Sequence, residues 1–255
     1  MSTTMRRVLR DAVLELTIDR PERMNAVDMA TMRELTDAIR DAGDDPAVRA
    51  VLLTGAGTAF CTGADLAAMA ENPSDPGLVM DVANDAIRAI VTAPVPVVAA
   101  VNGPAAGIGV SLALAADLTF AAQRAYFLLA FTRIGLMPDG GTSLLVPAAI
   151  GRAKAAELAL LGERVSAADA DRIGLISRTL PDDELAGHAR AVAARLAAGP
   201  RRALELTKRA LNAVTLDALD RALEREHRGQ AELLASADFA EGAAAMLQKR
   251  PPQIP

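Results

Sequence analysis

Few side chains in this sequence can do chemistry at neutral pH, and their surroundings narrow what that chemistry is. Asp139 stands in Pro138-Asp139-Gly140-Gly141, with Phe131, Leu136, Met137 and Leu144 close by in sequence. Apolar neighbours that exclude water raise a carboxyl above its ~3.9 reference. A carboxyl tuned that way can accept a proton and give it back, which is the work of a single acid/base. The same four residues also spell an ordinary turn, where aspartate is favoured for local hydrogen bonding. Ser111, in Gly109-Val110-Ser111-Leu112-Ala113, falls between a strand and a helix and nearly matches the nucleophile elbow of hydrolases. Ser111, Asp139 and His188 follow the chain order of that triad. His188, however, lies amid Glu184, Arg190 and Arg195 on what reads as a surface helix, and His227 sits between Glu226 and Arg228. A neutral serine without a base in reach is not a nucleophile. Cys61, the single cysteine, excludes an internal disulfide and a multi-cysteine metal site and reads as a small buried hydrophobe. Two histidines cannot make a three-histidine metal site. No metal is implied.

The elements that must position these residues are short strands and amphipathic helices. Residues 12–19 alternate apolar and polar up to Arg20-Pro21 and predict a strand. Met29, Met32, Leu35, Ala38 and Ile39 recur at helical spacing within 28–42. Residues 48–54 read as a buried strand closed by Gly55-Ala56-Gly57, and 95–101 as another, followed by a small-residue turn and a helix from Val110. Residues 70–77 read as a polar loop, and helical spacing resumes at Leu78. From Arg152 onward the chain suits helices at 152–161, 182–198, 200–212 and 216–235. Strand, helix, strand and again strand-turn-helix give an α/β architecture, with a helical segment starting near Gly199-Pro200.

Composition closes off other classes. A chain of 255 residues, 51% hydrophobic and 23% charged, has enough apolar mass for a large core. Its net charge of -5 and 2% aromatic content supply neither the basic surface nor the stacking platforms of a nucleic-acid binder. Residues 89–116 carry no charge and could cover ~30 Å of bilayer. Pro94, Pro96 and Gly103-Pro104 would leave backbone groups unpaired in lipid, so the stretch reads as buried core. The first twenty residues are charged throughout and lack a signal-peptide core, which points to the cytoplasm. A dinucleotide fingerprint at Gly107 and Gly109 fails at its third glycine, where Leu112 stands.

Taken together, Arg20-Pro21 with Asn25-Ala26, Gly57 with Phe60-Cys61 and Gly63-Ala64-Asp65-Leu66, and Val101-Asn102-Gly103-Pro104-Ala105-Ala106-Gly107 resemble the enoyl-CoA hydratase/isomerase (crotonase) superfamily. The likeness runs on through Ile134-Gly135-Leu136-Met137-Pro138-Asp139-Gly140-Gly141-Thr142, the 170–175 stretch, and Asp238-Phe239 to Pro251. It implies a spiral of ββα units over 1–198 and a C-terminal helical segment, 199–255, used for trimer formation. It implies an acyl-CoA thioester as substrate, with no cofactor beyond the coenzyme A the substrate carries, and a homotrimer or dimer of trimers in acyl-CoA or fatty acid metabolism. The shared chemistry of the family is a thioester enolate held by two backbone N–H groups. By motif these are Ala64 and Ile108. Donors fixed before the charge develops need not reorient during reaction, and Gly63 and Gly107 allow the backbone to approach a ligand. The resemblance places Ala26, Asp65, Leu66, Gly107, Ser111 and Phe131 around the substrate, with Phe131 and the loop after Asp65 shaping the acyl pocket. Asp65 would brace the 63–64 turn.

The family's hydratases use two glutamates, and this chain has Ser111 and Phe131 at those positions. Serine has no basicity near neutral pH and a phenyl ring has no exchangeable proton. Asp139 falls where the family's double-bond isomerases carry an aspartate. The expectation is an enoyl-CoA isomerase with Asp139 as acid/base. A hydratase by family, a non-catalytic acyl-CoA binder and, more distantly, a serine hydrolase using Ser111 are the alternatives. Lys249 and Arg250 either reach coenzyme A phosphates in a neighbouring subunit or form a solvated terminal pair.

Overall fold

The computed structural model describes residues 4–254. Strands β1 (Met5–Arg10) and β2 (Val13–Ile18) form an antiparallel hairpin through Asp11 and Ala12, both at positive φ. After helix α1 (Met29–Asp44), β3 (Ala50–Gly55) pairs parallel with β2. Helices α2 (Leu66–Glu71) and α3 (Pro76–Thr92) precede β4 (Val97–Val101) and the short β5 (Ala105–Ala106). Helix α4 (Ile108–Ala115), β6 (Leu118–Ala122) and β7 (Tyr126–Leu128) follow. Next come α5 (Thr142–Leu161), β8 (Arg164–Ser166), α6 (Ala167–Arg172), β9 (Arg178–Leu180) and α7 (Leu185–Ala197). The chain ends in α8 (Arg201–Thr215), α9 (Leu219–Leu234) and α10 (Ala237–Leu247).

The main sheet has the order β1-β2-β3-β4-β6-β9 and is parallel beyond the first hairpin; β5, β7 and β8 form a second, smaller sheet. Leu16, Ile18, Val51, Leu53, Val97 and Val101 point into the larger core under α1, α3 and α4, whereas Val13, Leu52, Val98 and Phe120 pack under α7. Burial on both faces explains why β3 and β4 read as continuous apolar runs rather than alternating ones.

Two expectations need correction, and one strand was not anticipated. A strand precedes residue 12; β1 carries no readable period because only Met5 is buried and Val8 and Leu9 are exposed. The 70–77 loop shrinks to 72–75: α2 runs to Glu71, and α3 starts at Pro76, where proline suits the first helical position and Asp75 accepts from Leu78 N–H at 3.0 Å. The helix read over 152–161 is the second half of α5, whose two parts meet at a non-helical Gly151.

The C-terminal helices lie against this core. Lys208 of α8 is buried, 2.9 Å from the Asp117 carboxylate, and donates to the Ile90 carbonyl at 2.8 Å. α9 packs on α3, and Asn84 donates to the Leu223 carbonyl. Among the described residues, no helix is long and apolar enough to cross a membrane.

Candidate active site

Two glycine turns from distant parts of the chain meet at one edge of the smaller sheet. Cys61 and Ala105 form a parallel bridge, and Ala106 N–H donates to the Cys61 carbonyl at 2.9 Å. Gly63, at φ +107, comes so close to Ala106 that a Cβ there would stand 3.3 Å from its carbonyl oxygen. A Cβ on Gly109 would fall 2.1 Å from the Cys61 carbonyl, so only glycine lets α4 begin where it does. Around Ala64 the backbone is otherwise spoken for: Val27 N–H donates to the Gly63 carbonyl and Asp65 N–H to the Val27 carbonyl. Ala64 N–H has no acceptor among the described residues, and neither has Ile108 N–H at the first position of α4. A helix N-terminus presents such donors together with the positive end of the helix dipole. The Phe131 ring lies over Gly107, 3.8 Å from where a Cβ would sit, and walls this corner.

Residues 20–26 hold the first turn in place. Asn25, fully buried, donates to the Ala56 and Ala59 carbonyls at 2.8 and 2.7 Å. Arg20 reaches the Asp65 carboxylate at 2.8 Å, Asp28 at 3.3 Å, and the Ala26 carbonyl. Asp65 accepts one backbone hydrogen bond, from Ala68 N–H at 3.0 Å, which caps α2, and its pair with Arg20 ties the chain after the turn to residues 20–26. Leu66 lines a cavity of about 630 Å³, mostly apolar, whose walls include Met29, Met69, Val79, Leu234 and Phe239. Ala64, Ile108, Phe131 and Asp139 are not on its wall.

Asp139 sits across from the first turn of α4. A Cβ on Gly140 (φ +59) would meet Ile108 Cδ1 at 2.4 Å and Ser111 Oγ at 2.7 Å, so the peptide after Asp139 rests directly on that turn. Ser111, fully buried, donates its hydroxyl to the Asp139 carbonyl at 3.1 Å. Asp139 Oδ2 accepts from Gln230 Nε2 at 2.7 Å; Oδ1 is shut off from solvent and has no partner among the described residues. Burial pushes this carboxyl up to about 7; the Gln230 hydrogen bond opposes the rise and the nearby Glu226 carboxylate adds to it. Glu226 accepts from Gly141 N–H at 2.6 Å and Ser143 N–H at 2.9 Å, capping α5, and its own carboxyl is raised, mainly by burial.

Gln230 and Glu226 were not anticipated. A signal was present: they continue the buried stripe Leu219, Ala222 and Leu223 of α9 at 3- and 4-residue spacing. Polar residues on an apolar stripe invite the question of what they bond.

The hydrolase triad does not form. Ser111 is spent on the Asp139 carbonyl, His188 stacks edge-on to Phe120 at 4.8 Å under α7, and His227 faces Asp81 at 3.2 Å. The Cys61 thiol is buried and pushed up to about 12 by that burial, consistent with a packing role. Arg250 pairs with Glu241 at 2.8 Å within its own chain.

The enoyl-CoA hydratase/isomerase family model matches residues 9–254. A probable enoyl-CoA hydratase of Rhodobacter capsulatus is 45% identical over 252 residues, covering 98% of this chain and 97% of that protein. The 1,2-epoxyphenylacetyl-CoA isomerase of Escherichia coli is 41% identical over 247 residues, covering 95% and 94%. The crystal structure of an enoyl-CoA hydratase from Mycobacterium avium subsp. paratuberculosis superposes with a TM-score of 0.93 at 45% identity, covering 99% of both chains.

Proposed function

The chain belongs to the enoyl-CoA hydratase/isomerase family, and on that premise we propose that it shifts the double bond of an enoyl-CoA. The observation that carries this reading is the chemistry available beside Ile108. Asp139 offers a buried carboxyl near 7, while Ser111 and Phe131, the two positions where a hydratase needs glutamates, offer no acid or base. In the proposed reaction, the thioester oxygen lies between the N–H groups of Ala64 and Ile108. Those donors stabilise the charge that builds on oxygen when a C2 proton leaves, which makes that proton acidic. Asp139 Oδ1 takes the C2 proton of a 3-enoyl thioester, the electrons delocalise as a dienolate, and the same carboxyl returns the proton at C4. The product is the conjugated 2-enoyl thioester. No water enters, and a carboxyl near 7 is poised for both directions of transfer. The substrate carries the coenzyme A; no other cofactor takes part in this scheme.

The apolar cavity beside Leu66 and Met69 suits an acyl group, and the E. coli relative's name motivates testing an aryl-derived one alongside a fatty one. Assembly as a trimer or dimer of trimers belongs to the same proposal; exposed Leu160, Leu161, Leu211 and Val214 on α5 and α8 offer apolar surface for it. The test assays wild type and Asp139→Asn on 3-enoyl-CoA, 2-enoyl-CoA with water, and 1,2-epoxyphenylacetyl-CoA. The proposal expects double-bond shifting to fall by about 10²-fold or more in the variant. An unchanged rate removes Asp139 from the mechanism, and efficient hydration replaces the isomerase reading with a hydratase. Thioester binding without turnover of any substrate leaves the binder.

A further inference from the structure

We infer that Gln230 is the positioning residue for Asp139: its side-chain amide, locked in one orientation by Met137 N–H, holds Oδ2 and leaves Oδ1 as the oxygen that exchanges the proton. The inference rests on the isomerase reading and deepens it, because it places part of the acid/base machinery on the C-terminal helix α9. Met137 N–H can only donate, so the atom 3.0 Å away must be the amide oxygen. That fixes Nε2 toward Asp139, 2.7 Å from Oδ2. Turning the amide over would set two donors against each other and an oxygen against a carboxylate. Gln230 is only 1% exposed, so water does not compete for either bond. The helix cannot drift away either: a Cβ on the neighbouring Gly229 would lie 2.5 Å from Met137 Sδ, a glycine-permitted contact between α9 and the segment before Asp139. With Oδ2 tied, Oδ1 is the carboxyl oxygen left without a hydrogen bond, and a thioester must open the site beside it to reach it.

A hydrogen bond from a neutral amide to a carboxylate favours the charged form. The other groups facing this carboxyl are few. On α9 Glu226 is the charged neighbour and raises its proton affinity. α4 presents Ile108 and the uncharged Ser111, and α3 presents Ile87 toward Gly141. Removing the amide donor therefore leaves burial and Glu226 unopposed, and the carboxyl moves to higher pH.

The experiment titrates protein labelled with carboxyl-¹³C aspartate, the Asp139 signal being identified by its loss in Asp139→Asn. Wild type is expected to titrate at about 7. In Gln230→Met the midpoint rises by about one to two pH units. The ascending limb of kcat for 3-enoyl-CoA moves with it, KM stays put, and the rate lost at pH 7 returns at high pH. Gln230→Leu also removes the donor without adding a charge, and carries the test should the methionine variant not fold. A side chain needed only for packing would depress kcat at every pH with the midpoint unmoved. A folded variant of either kind that titrates like wild type overturns the inference, as does failure of both variants to fold. The carboxyl signal reads the hold of Gln230 whether or not Asp139→Asn loses isomerisation, so failure here and failure of the isomerase reading are told apart.

Discussion

Ala64 and Ile108 offer backbone N–H groups, and what aims them lies within the first half of the chain: glycine turns, the Cys61–Ala105 bridge and the Asn25 clamp. Asp139 offers a side chain, and what aims it comes from α9, 91 residues away for Gln230 and 85 for the Glu226 bond to Gly141. The two halves of the site also respond to the protein in opposite ways. A peptide N–H has no titration to tune, so the fold needs only to place it. The carboxyl has both a place and a proton affinity, and both are set by groups that reach it only when the C-terminal helices dock. In the proposed reaction, the helices beyond residue 200 therefore hold the acid/base as well as covering the molecule's surface.

The contrast can be broken at its backbone half by removing a donor without removing a helix. Ile108 is the first residue of α4, where proline costs no helical hydrogen bond. Ile108→Pro is expected to lower kcat for 3-enoyl-CoA by about 10²–10³-fold, with the far-ultraviolet helical signal retained. A rate within threefold of wild type would mean that this N–H stabilises nothing in the reaction.

The carboxyl half can be sharpened through stability rather than rate. Asp139 binds its proton more tightly folded, at about 7, than unfolded, at the ordinary aspartate value of 3.8. Its contribution to stability is therefore complete below about 4 and is lost as pH rises through 7. Asp139→Asn cannot ionise, so urea unfolding should find it gaining on wild type between pH 4 and pH 8, by roughly 2–4 kcal/mol. A difference that stays flat with pH would show that the carboxyl is not displaced from its usual range.

The smallest effect separates the two halves most cleanly. Ile108→Val keeps the N–H and trims a methylene that lies near Gly140. It is expected to cost about 0.5–1.5 kcal/mol of stability while kcat changes by less than about threefold. A large loss of kcat in a stable Ile108→Val protein would mean that the side chain, not the amide, is what the reaction uses.

These halves differ as well in how far the sequence alone reveals them. Each of the glycine turns, at 63 and at 107, is encoded beside its own strand by small residues next to β-branched runs, so each turn could be read directly. Asp139 could be singled out from Pro138, Gly140 and the apolar residues near it. Its partners could not, because a contact across 91 residues leaves no local period. His227, flanked by Glu226 and Arg228, looked solvated, while its neighbours Glu226 and Gln230 carry the buried contacts of α9. For Asp65 the place beside the turn and the acceptance of a backbone N–H were legible, whereas the ion pair with Arg20, 45 residues away, was not. The strand β1 was hidden for a simpler reason: with only Met5 buried, its sequence shows no alternation to detect.

The claim on which the rest depends is that two amides and one carboxyl act on the same thioester to make an enolate. The most direct measurement is exchange of the C2 protons of a saturated acyl-CoA in deuterium oxide, which needs an enolate and no particular double bond. The account predicts exchange by the wild-type protein, with a rate that rises through pH 7, and its loss by about 10²-fold or more in Asp139→Asn. Exchange in Asp139→Asn at the wild-type rate, or none in a wild-type protein that binds the thioester, would contradict it.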